Sequence, residues 1–206
     1  HTNKWVFVGN YSSGSFSVLP ILADGSLGAA KTIIKHSGAG ADKSRQEKPH
    51  VHATVISPDN RYLFVPDLGI DKIMIYRFDA KDGNIKPAKQ NFAATKPGAG
   101  PRHFTFHPNG KFAYILEELS GSVTVFRYNN KKGTLKPIQN ISSLPVGFNG
   151  AAGSADIHLS ADGRFLYASN RGESNTIAIY GVHPTDGKIS LMGHQPTLGK
   201  GPRNFS

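Results

Sequence analysis

Apolar and polar residues alternate over short stretches of this chain, then break at turn residues, and the breaks recur on a regular schedule. His103-Phe104-Thr105-Phe106 alternates, Pro108-Asn109-Gly110-Lys111 interrupts it, and Phe112-Ala113-Tyr114-Ile115-Leu116 follows as a continuous apolar run. Alternation with a period of two marks a strand covered on one face, and a short unbroken apolar run marks one covered on both. Asn and Gly between them supply the backbone angles of a tight hairpin. A second break at Glu118-Leu119-Ser120-Gly121 leads into Val123-Thr124-Val125-Phe126. Asn130-Lys131-Lys132-Gly133 then turns the chain into a looser segment near Ile138. This pattern predicts a sheet of about four antiparallel strands.

The same order is written more than once. PHVHATVISPDNRYLFVPDLGIDKIMIYRFD begins at Pro49 and GSADIHLSADGRFLYASNRGESNTIAIYGVH begins at Gly153, with the register set by Pro58-Asp59-Asn60-Arg61 and Ala161-Asp162-Gly163-Arg164. Near the start, Trp5 to Tyr11 and Gly14 to Val18 match the second and third strands of a further copy, and Gly201 to Ser206 match Gly100 to Thr105. A repeat of about fifty residues made of short strands is the signature of a β-propeller blade and not of a helical array. The expected fold is all-β, a β-propeller of four-stranded antiparallel blades. The repeats cover approximately residues 1–37, 49–95, 100–145 and 153–198, with the start of another blade at 199–206. About four blades suit an arc of a larger ring or a small ring whose last strand completes the first blade, and the arc is the expected case, because a blade needs neighbours on both sides and Ser206 falls inside a first strand. The other blades of that ring are then the arc's first expected partner.

Composition narrows the chemistry. With 23 Gly and 13 Pro in 206 residues the chain is rich in turns, and the absence of Cys removes disulfides, thiolate nucleophiles and Cys-type zinc sites together. That absence agrees with a cytoplasmic location. No apolar run approaches the length of a membrane span, so no membrane partner is expected. The net charge of +10, from 24 Lys and Arg against 14 Asp and Glu, admits nucleic acid, an acidic surface or small anions as partners. Without a basic helix or a stripe of Arg interleaved with aromatics, nucleic acid is set aside. G-x-S-x-G, Walker, Rossmann and H-E-x-x-H patterns are all missing.

Hairpin geometry points to a site. The start of the first strand of a blade and the end of the second must lie together at the end opposite their turn. Aligned copies place His52, Arg102, Ala155 and Arg203 at the first of these positions. Tyr11, Leu68, Glu118 and Arg171 follow the second strand, each preceded by Asn10, Asp67, Glu117 or Asn170. Variable residues on one rim of a constant scaffold are how a ring builds an asymmetric pocket. Guanidinium groups hold carboxylate or phosphate oxygens, and a His and a Glu nearby can share proton transfer. The structural alternative is that Arg102 and Arg171 pair with Glu118 or Asp67, leaving Glu118 a counter-ion. His50 and His52 share a strand face, yet spacing indicates no third metal ligand, so no metal is expected. His103, His107 and His158 read as structural histidines. His36, His183 and His194 carry no functional signal, and Ser37 to Lys48 reads simply as the longest connection.

These residues also carry a family resemblance. RQEKPHVH from Arg45, SPDNRYLFVPDLG from Ser57, GPRHFTFHPNGKFAYILEEL from Gly100, ADGRFLYASNRG from Ala161 and GPRNF from Gly201 resemble the seven-bladed propeller lactonases, the 6-phosphogluconolactonase group. The resemblance implies a ring of about seven blades, of which this chain holds a little over half. It implies catalytic His52 (with His50 less favoured), Arg102, Glu118 and Arg171 and no metal; the rim positions and their neighbours add His50, Asp67, His103, Asn170 and Arg203 as expected substrate-binding residues, and no cofactor is expected. One departure is Glu117, where the family often has Asn, so which of Glu117 and Glu118 faces the channel stays open. The implied reaction is hydrolysis of a small anionic sugar lactone, 6-phospho-D-glucono-1,5-lactone, to 6-phosphogluconate in the pentose phosphate pathway. Alternatives are a muconate-type lactonising cycloisomerase and a propeller that binds without turnover.

Overall fold

The computed structural model describes residues 3–206; residues 1 and 2 of the first repeat lie outside the described residues. All regular structure but one short 3-10 turn at Leu68–Ile70 is β. Strands β1 (Trp5–Asn10), β2 (Ser15–Pro20) and β3 (Thr32–Lys35) form a three-stranded sheet. A four-stranded sheet follows from β4 (Val55–Ile56), β5 (Tyr62–Asp67), β6 (Lys72–Asp79) and β7 (Asn84–Ala94). Strands β8 (Pro101–Phe106), β9 (Phe112–Glu117), β10 (Ser122–Asn129) and β11 (Thr134–Ser142) form the next. The last sheet holds β12 (Ser154–Leu159), β13 (Phe165–Asn170), β14 (Thr176–Val182) and β15 (Ile189–Pro196). Every pairing between named strands is antiparallel and joins neighbours in sequence. The all-β reading with four-stranded antiparallel blades therefore holds.

The residues form two compact units, one of residues 3–98 with Asn130–Thr134 and one of Ala99–Asn129 with Leu135–Ser206. In the first, Phe16, Val18, Leu63, Val65, Tyr76 and Phe78 make the buried core, with Trp5, Phe7 and Met74 packed against it. In the second, Phe112, Tyr114, Leu116, Val125, Leu166, Tyr180 and Ile189 do the same. Strands β5 and β9 are buried along their whole length, which is why their sequences read as unbroken apolar runs. A joint recurs within these units. The aromatic residue opening the second strand of a blade lies flat against a turn glycine, Trp5 on Gly83, Tyr62 on Gly133 and Phe112 on Gly187, where an added Cβ would enter the ring. Tyr114 Oη donates to the Gly187 carbonyl at 2.9 Å and Tyr180 Oη to that of Ser142 at 2.7 Å, so the aromatic bodies stay dry while their hydroxyls are satisfied.

Two details differ from the pattern read in the sequence. The fourth strands are longer than a loose segment near Ile138 suggests: β7 runs 11 residues with an irregular register and β11 runs 9. The segment Ser37 to Lys48 is also more than a connection. Gln46 is fully buried, and its Nε2 donates to the Leu68 carbonyl and to Asp71 Oδ1, each at 2.7 Å. Its Oε1 accepts from the Asp42 amide at 2.8 Å. A polar side chain inside an otherwise polar loop gives no periodic signal, so pinning of this kind is invisible to pattern reading.

Candidate active site

The rim geometry is repeated in the backbone. The amides of Leu68, Glu118 and Arg171 donate to the carbonyls of His50, Gly100 and Gly153 at 3.0, 2.7 and 3.3 Å. The residue after each second strand is thereby fastened two residues ahead of the equivalent positions His52, Arg102 and Ala155. Register shifts between Pro101 and His103 and between Ser154 and Ile157 mark bulges at the starts of β8 and β12. A bulge re-aims the side chains it carries. Here it turns Arg102 and His103 alike toward β12.

The position ending each second strand is a buried polar knot. Asn10 Nδ2 reaches Ser15 and Ser17; Asn170 accepts from Ser143 and Ser154 at 2.8 and 2.6 Å and donates to the Ser143 carbonyl at 2.6 Å. Asp67 accepts from the His50 and Gly69 amides at 2.7 and 3.0 Å and from His36 Nδ1 at 2.6 Å. Glu117 accepts from Ser122, from Thr124 at 2.8 Å and from Asn140 at 3.1 Å. Asp67, Glu117 and Asn170 have no exposed surface. The oxygens and amide that the sequence offered to substrate at Asp67 and Asn170 are engaged by their own repeat and by the one before it, through His36 and Ser143. These two residues join the scaffold that carries the site.

Burial raises the Glu117 carboxyl above its ordinary value, and the hydrogen bonds from Ser122, Thr124, Asn140 and Ser120 oppose the shift. An acid whose folded-state pKa is raised binds more protons folded than unfolded in the window between the two values. Stability is therefore expected to fall as pH rises from the ordinary carboxylate range through the raised value. Glu117→Gln should flatten that slope, as urea melts across pH would show.

Glu118, one residue on, meets charge instead. Its Oε2 lies 2.6 Å from Arg102 Nη1 and 3.1 Å from Arg171 Nη2. Arg102 Nε also donates to the Ala155 carbonyl at 2.8 Å, and Arg171 Nε to that of Gly153 at 2.8 Å. Two arms anchor each guanidinium, which fixes its plane. Burial lowers the Arg102 pKa, Glu118 opposes that, and the like charges of Arg171 and Arg203 add to the lowering. Arginine's ordinary value is so high that the group stays charged. Exposure differs between the two: the Arg102 side chain is 2 % exposed and that of Arg171 20 %. Arg203 is exposed.

Beside this cluster stands a second one. His103 Nδ1 lies 2.7 Å from Asp156 Oδ1, and His158 Nε2 lies 2.9 Å from Asp156 Oδ2. Asn204 Nδ2 and the Phe205 amide approach the same Oδ2 at 3.3 Å each. The hydrogen bonds outweigh burial and hold Asp156 below the ordinary carboxylate value. Desolvation holds the imidazole of His103 below its ordinary value although Asp156 pulls the other way. Asp156 escaped the sequence reading. The signal was its alignment with His103 and Asn204, one residue after the position carrying Arg102, Ala155 and Arg203. By contrast His107 is a satisfied structural histidine, with Nε2 3.1 Å from the Gly163 carbonyl and Nδ1 accepting the Asn109 amide.

His50 and His52 belong to the first unit. Tyr11 stacks on His50 with ring centroids 4.4 Å apart and meets His52 edge-on at 5.3 Å. Both precede the two-residue β4, and Val51 makes a single bridge to Asp67. His36, which pattern reading passed over, is buried between Asp67 and Tyr76, whose hydroxyl lies 3.0 Å from its Nε2. Burial and then the Asp67 charge push the Tyr76 phenol up to about 12.

A comparison with known families identifies the scaffold. Residues 1–206 match the family described as "Lactonase, 7-bladed beta-propeller".

The chain belongs to the seven-bladed β-propeller lactonase family.

Among its relatives, the 6-phosphogluconolactonase of Bacillus subtilis is 39 % identical over 203 residues, covering 98 % of this chain and 56 % of that protein. The 6-phosphogluconolactonase of Formosa agariphila is 38 % identical over 208 residues, covering 100 % and 58 %. A solved structure described as a periplasmic gluconolactonase of Pseudomonas aeruginosa superposes with a TM-score of 0.92 at 39 % identity, again covering 100 % of this chain and 58 % of that one. The chain thus spans a little over half the length of the curated lactonase relatives it matches. No helix among its described residues is long and apolar enough to cross a membrane.

Proposed function

We propose that this propeller lactonase chain carries part of the site at which an anionic sugar lactone is hydrolysed, with 6-phospho-D-glucono-1,5-lactone as substrate and 6-phosphogluconate as product. The observation that carries this reading is the convergence of Arg102 and Arg171 on one oxygen of Glu118, with the charge of Arg203 close by. Fixed guanidinium groups need no reorganisation to meet charge that develops on a carbonyl oxygen, and they also grip phosphate. The exposure of the three supports a division of parts in this reading. Arg171 and Arg203 touch the ligand, Glu118 anchors Arg171, and Arg102 positions Glu118. The sequence offered Glu118 or His52 as the group that takes a proton from water. Two guanidiniums on a buried carboxylate suit Glu118 to anchoring instead.

The names of the relatives support lactone hydrolysis, and the phosphorylated substrate goes with a pentose phosphate pathway role in the cytoplasm. The Pseudomonas neighbour is described by an unphosphorylated sugar and as periplasmic. The two lactones are therefore tested against each other. The complete protein, assayed above spontaneous hydrolysis, is expected to open 6-phosphogluconolactone with kcat/KM at least about tenfold above that for gluconolactone, since one charge-assisted contact contributes roughly 1.5 kcal/mol or more. Equal rates on the two would withdraw the phosphate assignment. No turnover of either, with retention of the sugar acid, would favour a binding platform.

A further inference from the structure

Hydrolysis of a lactone needs a group that takes a proton from the attacking water and returns it to the ring oxygen that leaves. Arginine cannot do this at ordinary pH, and Glu118 is held by two arginines. In the same unit, His103 follows Arg102 directly on the bulged start of β8 and its side chain is 22 % exposed. Its Nδ1 faces Asp156 Oδ1 at 2.7 Å, and Asp156 is itself only 5 % exposed. An ionised carboxylate facing Nδ1 fixes the tautomer with the proton on that nitrogen, making Nε2 the atom that accepts. The arrangement is a histidine oriented by a buried acid, next in sequence to the guanidinium cluster.

We propose that His103 is the general base of this lactonase site and that Asp156 is its positioning residue. The inference rests on the lactonase reading. Water attacks the ring carbonyl as its proton passes to His103 Nε2, and the carbonyl electrons move onto oxygen beside Arg171. The tetrahedral intermediate collapses with cleavage of the ring carbon–oxygen bond, and His103 gives the proton to the departing alkoxide. One water is consumed, and a hydroxy acid results. The neutral imidazole that this requires agrees with the effect of burial at His103. The charged and titratable groups around it include Asp156 and His158 on β12 and Arg102 on β8.

The test uses the complete protein and three readouts: kcat/KM on 6-phosphogluconolactone, its pH profile, and the ¹⁵N resonances of the His103 ring. His103→Gln should lower kcat about 100-fold or more with KM little changed, and should abolish the acid limb of the profile. Asp156→Asn should lower kcat, displace the Nδ1-protonated tautomer and move the acid limb to lower pH, because the carboxylate favours the imidazolium. A His103→Gln protein that melts like wild type and keeps its rate overturns the dyad alone. So does an equal loss confined to His158→Gln or to His52→Gln, either of which would place the base elsewhere. A wild-type protein with no lactone turnover overturns the dyad and the lactonase reading together.

Discussion

Arg102→Ala is expected to lose roughly 3–5 kcal/mol of stability, because it leaves Glu118 buried with half of its counter-charge gone. The same variant should lose about 100-fold in kcat/KM, since the anchor of Arg171 shifts and a misplacement of an ångström has consequences of that size. Arg171→Ala separates the two effects. Its contact with Glu118 is longer, 3.1 against 2.6 Å, and its side chain is 20 % exposed, so the loss of stability should be smaller than in Arg102→Ala, while the rate falls as far or farther. The double variant Arg102→Ala with Glu118→Ala should recover part of the lost stability, because no buried charge is then left alone, and none of the activity. Urea unfolding and lactone kinetics on the four proteins check this. Unchanged stability in Arg102→Ala would remove the buried pair from the account of the fold.

Gly69→Ala is expected to be as damaging for a different reason. Gly69 lies in the 3-10 turn Leu68–Ile70, and a Cβ there would overlap the Lys48 carbonyl oxygen and come within 2.8 Å of the His50 amide nitrogen. Both obstacles are backbone, so no rotamer relieves them. The segment 48–50 would have to move away from Asp67, whose carboxylate binds the His50 and Gly69 amides together. A loss of at least about 3 kcal/mol is expected, the upper range for overpacking. The Tyr11–His50 stack should break as well, which ring-proton shifts would report. Gly193→Ala is the control. No atom lies within 4 Å of its built Cβ, and the change should stay within about 0.5 kcal/mol.

The sheets and the rim could be read from residue order because they depend on local chemistry repeated in register. Asn109-Gly110 and Asp162-Gly163 turn wherever they stand between apolar runs, and each copy corroborates the others. Alignment of the copies was enough to single out Arg102, Glu118 and Arg171. It could not separate Glu117 from Glu118, since both are acids at the end of one strand. Their partners separate them: Glu117, the last residue of β9, meets Ser122, Thr124 and Asn140, and Glu118, just beyond the strand, meets the arginines. Nor could it show that Asp67 and Asn170 meet donors and acceptors of the fold. A carboxylate or amide looks alike in a sequence whether it faces solvent or four local donors.

Periodicity, turn chemistry and repetition, all properties of neighbours along the chain, were thus sufficient for the blade architecture and for the place of the variable polar positions within each blade. The partners of those positions were not, because the atoms that meet are about fifty residues apart, one repeat away. Arg102 reaches Ala155, His103 reaches Asp156, and Glu118 reaches Arg171 only once adjacent blades are packed and two bulges have turned β8 and β12 toward each other. Packing also set exposure, burying the Arg102 side chain to 2 % and leaving that of Arg171 at 20 %, a difference that no residue order records.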